Sequence, residues 1–401
     1  MSDCIYMDFA ATSARRPPEV VQAVVEYLNN CGASPGRGGH RLAVDAARMA
    51  LRCRMAIGRL LNIPGDPGRI AFMFNATHAL NTALWGSLRR GDVVVTTAYD
   101  HNAVLRPVHQ LAQERAVTVR MLPGAPDGSI DLEQARTALQ GARLLVINAV
   151  SNVLGTPLPV RELTRLAHDA GALVLVDAAQ SAGHTQVDIA ADDVDLVALT
   201  GHKGMLGPQG TGALWVKENI DVDPMLRGGT GGDSLLRDMP AAYPDHLEAG
   251  TANASGVAGL LAGIEWIRAR GVESLHQHGM QLKRRLRSGF SSIPGVRVLS
   301  PAGDDGVAIV TIVADQMDVP TLATRLDKEH GVLTRPGLHC APEAHRVLGT
   351  DKTGAVRFSL GWSTTEEQVD CAVEAVAQVV GAHKVFAIND HAAALDTGPD
   401  A

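Results

Sequence analysis

Lysine is scarce in this chain. Of its 36 basic residues only six are lysines, and none precedes Lys203. Cysteine is nearly as sparse. Five thiols, Cys4, Cys31, Cys53, Cys340 and Cys371, are too scattered over 401 residues to make a disulfide framework. There is no Cys-x-x-Cys pair and no His-Glu-x-x-His motif, so no metal site is expected. A basic stripe is also missing. The net charge is −7, and "LKRRLR" (282–287), the densest basic cluster, reads as the solvated face of a helix. Nucleic acid is therefore not an expected partner. No apolar run is long enough to cross a bilayer, and "MSDCIYMDFAATS" lacks the basic start and apolar core of a signal peptide. The expectation is a cytoplasmic protein with reduced thiols and no membrane contact.

What is present is a globular composition, 46% hydrophobic and 20% charged, with length enough for two domains. Apolar runs at 69–74, 92–97, 117–122, 143–150, 173–179, 194–199 and 211–216 alternate with amphipathic stretches at 77–89, 102–115, 131–140 and 159–170. That rhythm predicts βαβ units around a mainly parallel sheet, with Asp131 capping one helix. After residue 216 the rhythm breaks into a Gly- and Pro-rich stretch without periodicity, read as an active-site excursion or an interface loop. Two long helical patterns (255–270 and 272–292) follow. Strand-like "VRVLS", "VAIVTIV" and "AVRFSL" come next, with helices near 318–330 and 365–381. The expected fold is α/β: a large domain over 15–255, and a smaller α+β domain from 256–386 joined by 1–14. Residues 387–401 read as a flexible tail.

In an open parallel sheet, ligands gather at the carboxyl ends of the strands. Those ends hold Asn75-Ala76-Thr77, Asp100-His101-Asn102, Ser151-Asn152, Asp177-Ala178-Ala179-Gln180 and Thr200-Gly201-His202-Lys203. Lys203 sits in "LVALTGHKGMLGP", where burial would lower its pKa and ready it for a carbonyl. The flanking glycines are expected to let the backbone approach a ligand closely. Asp177 ends the apolar run "ALVLVD"; a carboxylate there needs a cationic partner, and a protonated pyridine nitrogen is one. Thr77 and the amides around Ala76 open a helix and suit a phosphate, although an ordinary N-cap would look the same. His101 is placed to stack on a ring, and Gln180 to bond a ring hydroxyl.

Together these residues resemble the class V aminotransferase superfamily of fold-type I pyridoxal-phosphate enzymes, in its cysteine desulfurase and selenocysteine lyase branch. The resemblance runs from "YMDFAATS" (6–13) to "VRFSLGWSTTEEQVD" (356–370), through "DHNA", "SNVLGT", "VDAAQSAGH", "TGHKGMLGPQGTGAL", "EAGTAN" and "RPGLHCAP". It implies pyridoxal 5'-phosphate carried on Lys203, with Asp177 at the pyridine nitrogen and Gln180 at the ring hydroxyl. His101 would stack on the ring and assist proton transfer. Ala76, Thr77, Thr200 and His202 would hold the phosphate, helped by Thr251 from the second subunit of a homodimer. Thr200 stands where many relatives carry Ser, and "DHNA" where close relatives often have Glu before the histidine. Arg357 and Asn152 would bind the substrate carboxylate.

Reaction type turns on Cys340 in "RPGLHCAPEAH" (335–345). A thiolate there, favoured by a cation such as His339 or Arg335, would take sulfur from L-cysteine and release alanine. The short loop is similar to that of desulfurases which pass sulfur to a dedicated acceptor protein. Two other enzymatic readings stay open: a C–S lyase eliminating to pyruvate and ammonia, and a selenocysteine lyase. A non-catalytic sulfur-relay protein on the same fold is a further alternative.

Overall fold

The computed structural model describes residues 4–394 other than 37 and 233, with side chains through residue 381. Its strands in chain order are β1 (Ile5–Tyr6), β2 (Ile70–Met73), β3 (Val93–Thr97), β4 (Thr118–Leu122), β5 (Leu144–Asn148), β6 (Leu173–Asp177), β7 (Leu196–Thr200) and β8 (Gly212–Val216). Then follow β9 (Val296–Val298), β10 (Ile309–Ala314), β11 (Val332–Leu333), β12 (Arg335–Gly337) and β13 (Ala355–Ser359). Seven of them form one sheet in the order β2-β8-β7-β6-β5-β3-β4. The pairs β4/β3, β3/β5, β5/β6 and β6/β7 are parallel, while β8 runs antiparallel to both β7 and β2.

Each central strand is apolar along its length because the sheet is covered on both faces. Leu145, Ile147, Val174, Val176, Val197, Leu199 and Trp215 point into one buried cluster. Their neighbours Leu144, Val146, Leu175, Leu196, Ala198, Leu214 and Val216 point into another. At about 1.5–3 kcal/mol for each large apolar side chain buried, these two layers supply most of what holds the large unit together. Helices Ala76–Ser87, Asn102–Arg115 and Val160–Asp169 occupy the amphipathic stretches, and Asp131 caps Leu132–Ala138 by accepting from the amides of Glu133 and Gln134. Helices Pro18–Asn30 and Arg41–Leu60 have no counterpart in the sequence reading. The first carries Val21, Val25 and Leu28 on an exposed face, which blurs its amphipathic signal.

From β3 the chain steps outward to β4, then returns to β5 and proceeds the other way through β6, β7 and β8. The reversal lies between β3 and β5, and a crevice opens at such a switch point. Here the two strands pair only at Val94–Leu144 and Val95–Leu145, then diverge toward their carboxyl ends. A second sheet, β12-β13-β10-β9, is antiparallel and packs its own core of Leu282, Leu286, Phe290, Val310, Phe358 and Val376. The N-terminal segment joins this core through Met7 and the parallel pair β1/β11. No described helix is long and apolar enough to cross a membrane. Helix Glu366–Ala394 continues into the stretch read as a tail, whose residues 395–401 lie outside the described residues.

Candidate active site

At the switch point lies a cavity of about 240 Å³ lined by Ala76, Thr77, His101, Asn152, Asp177, Gln180, Thr200, His202, Lys203 and Arg335, among others. Adjacent strands β6 and β7 lead into two of its charged centres, Asp177 and Lys203. Burial lowers the Lys203 ammonium to about 8; Asp177 opposes that shift, and Arg357 and Arg335 add to it. Burial raises Asp177, whose Oδ1 accepts from the Ala179 amide at 2.9 Å. A lysine near neutrality beside a buried carboxylate is the arrangement expected of a nucleophilic amine.

The glycines around Lys203 leave no room for a side chain. A Cβ on Gly201 would lie 2.1 Å from Thr211 Oγ1, and one on Gly204 would lie 2.4 Å from the Ala182 carbonyl oxygen. They permit close packing of the lysine loop against the rest of the protein.

Asn75, not Thr77, caps the helix Ala76–Ser87, with its Oδ1 accepting from the His78 amide at 2.9 Å. Thr77 keeps its hydroxyl for another partner, which removes the ordinary N-cap explanation. Thr200 Oγ1 is buried with no hydrogen-bond partner. His202 Nδ1 meets Thr12 Oγ1 at 3.0 Å, and Gln180 Nε2 donates to the Ala10 carbonyl at 3.0 Å. His101 accepts from the Ala103 amide through Nδ1 at 3.0 Å. Burial and the nearby Lys203 lower its pKa to about 4, so the ring is neutral with its proton on Nε2.

Three of the sequence-selected residues stand outside the lining. Thr251 is exposed and borders a separate cavity with Phe74, His78 and Leu226. Arg357 is fully buried, donating to Asp8 Oδ1 at 2.8 Å and to the Asn152 carbonyl at 3.0 Å. Cys340 sits beside the cavity, its Sγ 3.4 Å from Nη2 of Arg335. Arg335 is directly opposite Arg357 in the β12/β13 register. Among the described residues only Arg357 of the two has an ion-pair partner, so excess positive charge is left at this end of the cavity. From sequence, Arg335 is legible only as a neighbour of the thiol, because its strand β12 spans three residues.

His339 is not the cation proposed for Cys340. Burial drives its pKa down to about 2, and Nε2 must donate to the Arg335 carbonyl at 2.9 Å. Of the two, Arg335 is the cation in contact with the thiol. Both His339 and Cys340 have left-handed backbones, with φ of 51° and 57°.

A lysine and a carboxylate facing one crevice at the switch point of a mainly parallel sheet, with a small antiparallel sheet beside it, define the fold-type I class of α/β enzymes. Residues 5–371 match the sequence model of the family described as "Aminotransferase class-V". A probable cysteine desulfurase of Methanothermobacter thermautotrophicus is 35% identical over 95% of this chain and 96% of its own. A cysteine desulfurase of Haloferax volcanii is 32% identical, over 93% and 88% respectively. The apo structure of a cysteine desulfurase from Thermococcus onnurineus superposes with a TM-score of 0.87 at 31% identity, covering 94% of this chain and 95% of that one. The S-sulfonic acid form of the Escherichia coli cysteine desulfurase CsdA gives 0.84 at 27% identity, with the same coverages. The chain belongs to the class V aminotransferase family, in its cysteine desulfurase branch.

Proposed function

We propose that this protein is a cysteine desulfurase with pyridoxal 5'-phosphate as its resident cofactor and Cys340 as its sulfur acceptor. The observation carrying this reading is that Lys203 and Asp177 face one cavity. The donor set fits the cofactor. The unpartnered Thr200 hydroxyl, Thr77, His202 and the amides near Ala76 would hold its phosphate. Asp177 would meet the ring nitrogen, Gln180 the ring hydroxyl and His101 the ring face. When bound, the cofactor supplies an electron sink for the pair left at the substrate α-carbon.

The chain's own groups do the rest. Arg335, backed by Arg357, whose Nε is buried without a partner, would bind the substrate carboxylate, while the unpartnered Asn152 Oδ1 can accept only from a donor such as the substrate ammonium. Lys203 Nζ, with its pKa near 8, accepts the α-proton and returns it. Cys340 Sγ forms a bond to the substrate sulfur as the Cβ–S bond breaks. The electron pair of that bond stays with carbon, and the proton lost by Cys340 ends there, so the products are alanine and a Cys340 persulfide. Substituting Cys340→Ser and supplying L-cysteine should cut alanine formation by about 100-fold or more. Undiminished alanine would remove this mechanism, and pyruvate with ammonia in its place would identify a C–S lyase.

The proposal extends to a cytoplasmic homodimer that hands sulfur to an acceptor protein. Support for the dimer comes from Thr251, exposed on its own chain within the aperiodic excursion 217–253, where Met225, Leu226, Leu235 and Leu236 also stand exposed. Thr251 would then complete the partner's phosphate site.

A further inference from the structure

The mechanism above leaves two buried histidines unused. His345 is wholly buried and His339 is 2% exposed, and their rings meet through His345 Nε2 and His339 Nδ1 at 3.1 Å. The proton order along this contact is forced. The Arg335 carbonyl can only accept, so His339 Nε2 carries a hydrogen and His339 Nδ1 is an acceptor. His345 Nε2 must therefore donate, and His345 Nδ1 accepts from the Thr350 hydroxyl at 2.8 Å. Burial holds both rings neutral. The result is one directed chain, from Thr350 through His345 and His339 to the Arg335 carbonyl.

This chain closes the loop that carries the thiol. His339 ties to the backbone of Arg335, and the Arg335 guanidinium reaches back to Cys340 Sγ at 3.4 Å. The carbonyls of the two left-handed residues are taken up as well: His339 O accepts from Asn152 Nδ2, and Cys340 O from the Asn102 amide, both at 2.7 Å. A left-handed backbone costs a non-glycine residue about 1–2 kcal/mol, so two in succession persist only where the surroundings over-determine them. His345 and Thr350 are the members of the network that touch neither the cavity nor Cys340.

We propose that His345 is a positioning residue for Cys340. Through His339 it holds the loop 335–341 in the conformation that keeps the sulfur against Arg335 at the edge of the cavity. The inference rests on the desulfurase reading for its kinetic consequence but not for its structural one.

The test compares His345→Leu, which removes the donor, with His345→Gln, whose amide N–H reaches as far as the imidazole Nε2. In the holoenzyme given L-cysteine, His345→Leu should slow the appearance of persulfide on Cys340 at least tenfold, read by mass spectrometry. The cofactor absorbance and its response to cysteine should stay as in the parent. Amide hydrogen exchange in the 335–345 peptide should accelerate in the same variant, and His345→Gln should recover most of both properties. Parent-like exchange in His345→Leu, or a Gln variant indistinguishable from Leu, would overturn the proposal. If the parent protein itself forms no persulfide on Cys340, the desulfurase reading falls while the exchange comparison still decides the positioning role. Should His345→Leu fail to fold, Thr350→Val removes only the hydroxyl at the far end of the chain. It should raise exchange in the same peptide, and a parent-like rate there would equally count against the proposal.

Discussion

Lys203 gains its reactivity from where the backbone puts it. Burial lowers the ammonium to about 8, against 10.5 for an exposed lysine, and the Asp177 charge opposes this without cancelling it. In cofactor-free protein, reductive methylation of Lys203 should rise with a midpoint near pH 8. A midpoint above 10 would mean that the amine is solvated. The loop holding it tolerates little change. Gly204→Ala places a methyl group 2.4 Å from a carbonyl oxygen and should cost about 1–3 kcal/mol in thermal unfolding, with cofactor occupancy reduced. At this scale the sequence was partly legible. Lys203, Asp177, Gln180, His101, Thr77 and Thr200 were readable because each lies at, or within three residues of, the end of a strand or the start of a helix. Arg357 was read as a cavity residue, and its burial behind Asn152 was not readable because the partner Asp8 lies at the opposite end of the chain. The neutrality of His339 depends on burial by residues distant in sequence, which spacing does not reveal.

Among the elements, the gap between β3 and β5 makes the crevice, and Asp100 spans it. Where the strands stop pairing, its carboxylate accepts from the Thr97 amide at 2.7 Å and from the Asn148 amide at 3.1 Å. Asn148 adds a bond from Nδ2 to the Tyr99 carbonyl at 2.9 Å. Asp100→Ala would leave two buried amides unmet, a loss of roughly 2–4 kcal/mol. The pH dependence has a definite sign. Burial pushes the Asp100 carboxyl up to about 7, above its unfolded value of 3.8, so the ionised form is penalised in the folded state. That penalty is fully present above pH 7 and fades as pH falls toward 4. Denaturant melts should therefore show wild type gaining stability relative to Asp100→Asn as pH drops through that window. No change in the difference would contradict the buried carboxyl. Strands and helices with strong periodicity were legible from sequence, as were the helices Ala254–Arg270 and Val272–Ser291. The missed strands β1, β11 and β12 have two or three residues, too few to display a period of two.

For the whole molecule, the large and small cores meet around a site that neither completes alone. The cavity wall comes from the parallel sheet, while Arg335 and Cys340 arrive from the second sheet and the loop beyond it. The aperiodic excursion is tied down by an ion pair at 2.6 Å between its half-buried Glu248 and the buried Arg54, and Glu248 also accepts from the Phe72 amide. Arg54→Ala would strand that carboxylate and should lower stability by about 3 kcal/mol, with Glu248→Gln added in the same chain recovering part of the loss. Thermal unfolding of the single and double variants checks this. The account as a whole depends on Lys203 being the residue that carries the cofactor. Treating the protein with pyridoxal 5'-phosphate and then borohydride, and weighing intact and digested chains, should show one pyridoxyl group per chain, on the peptide containing Lys203 and abolished by Lys203→Ala. A label on Lys217 or Lys283 instead, or none at all, would contradict it.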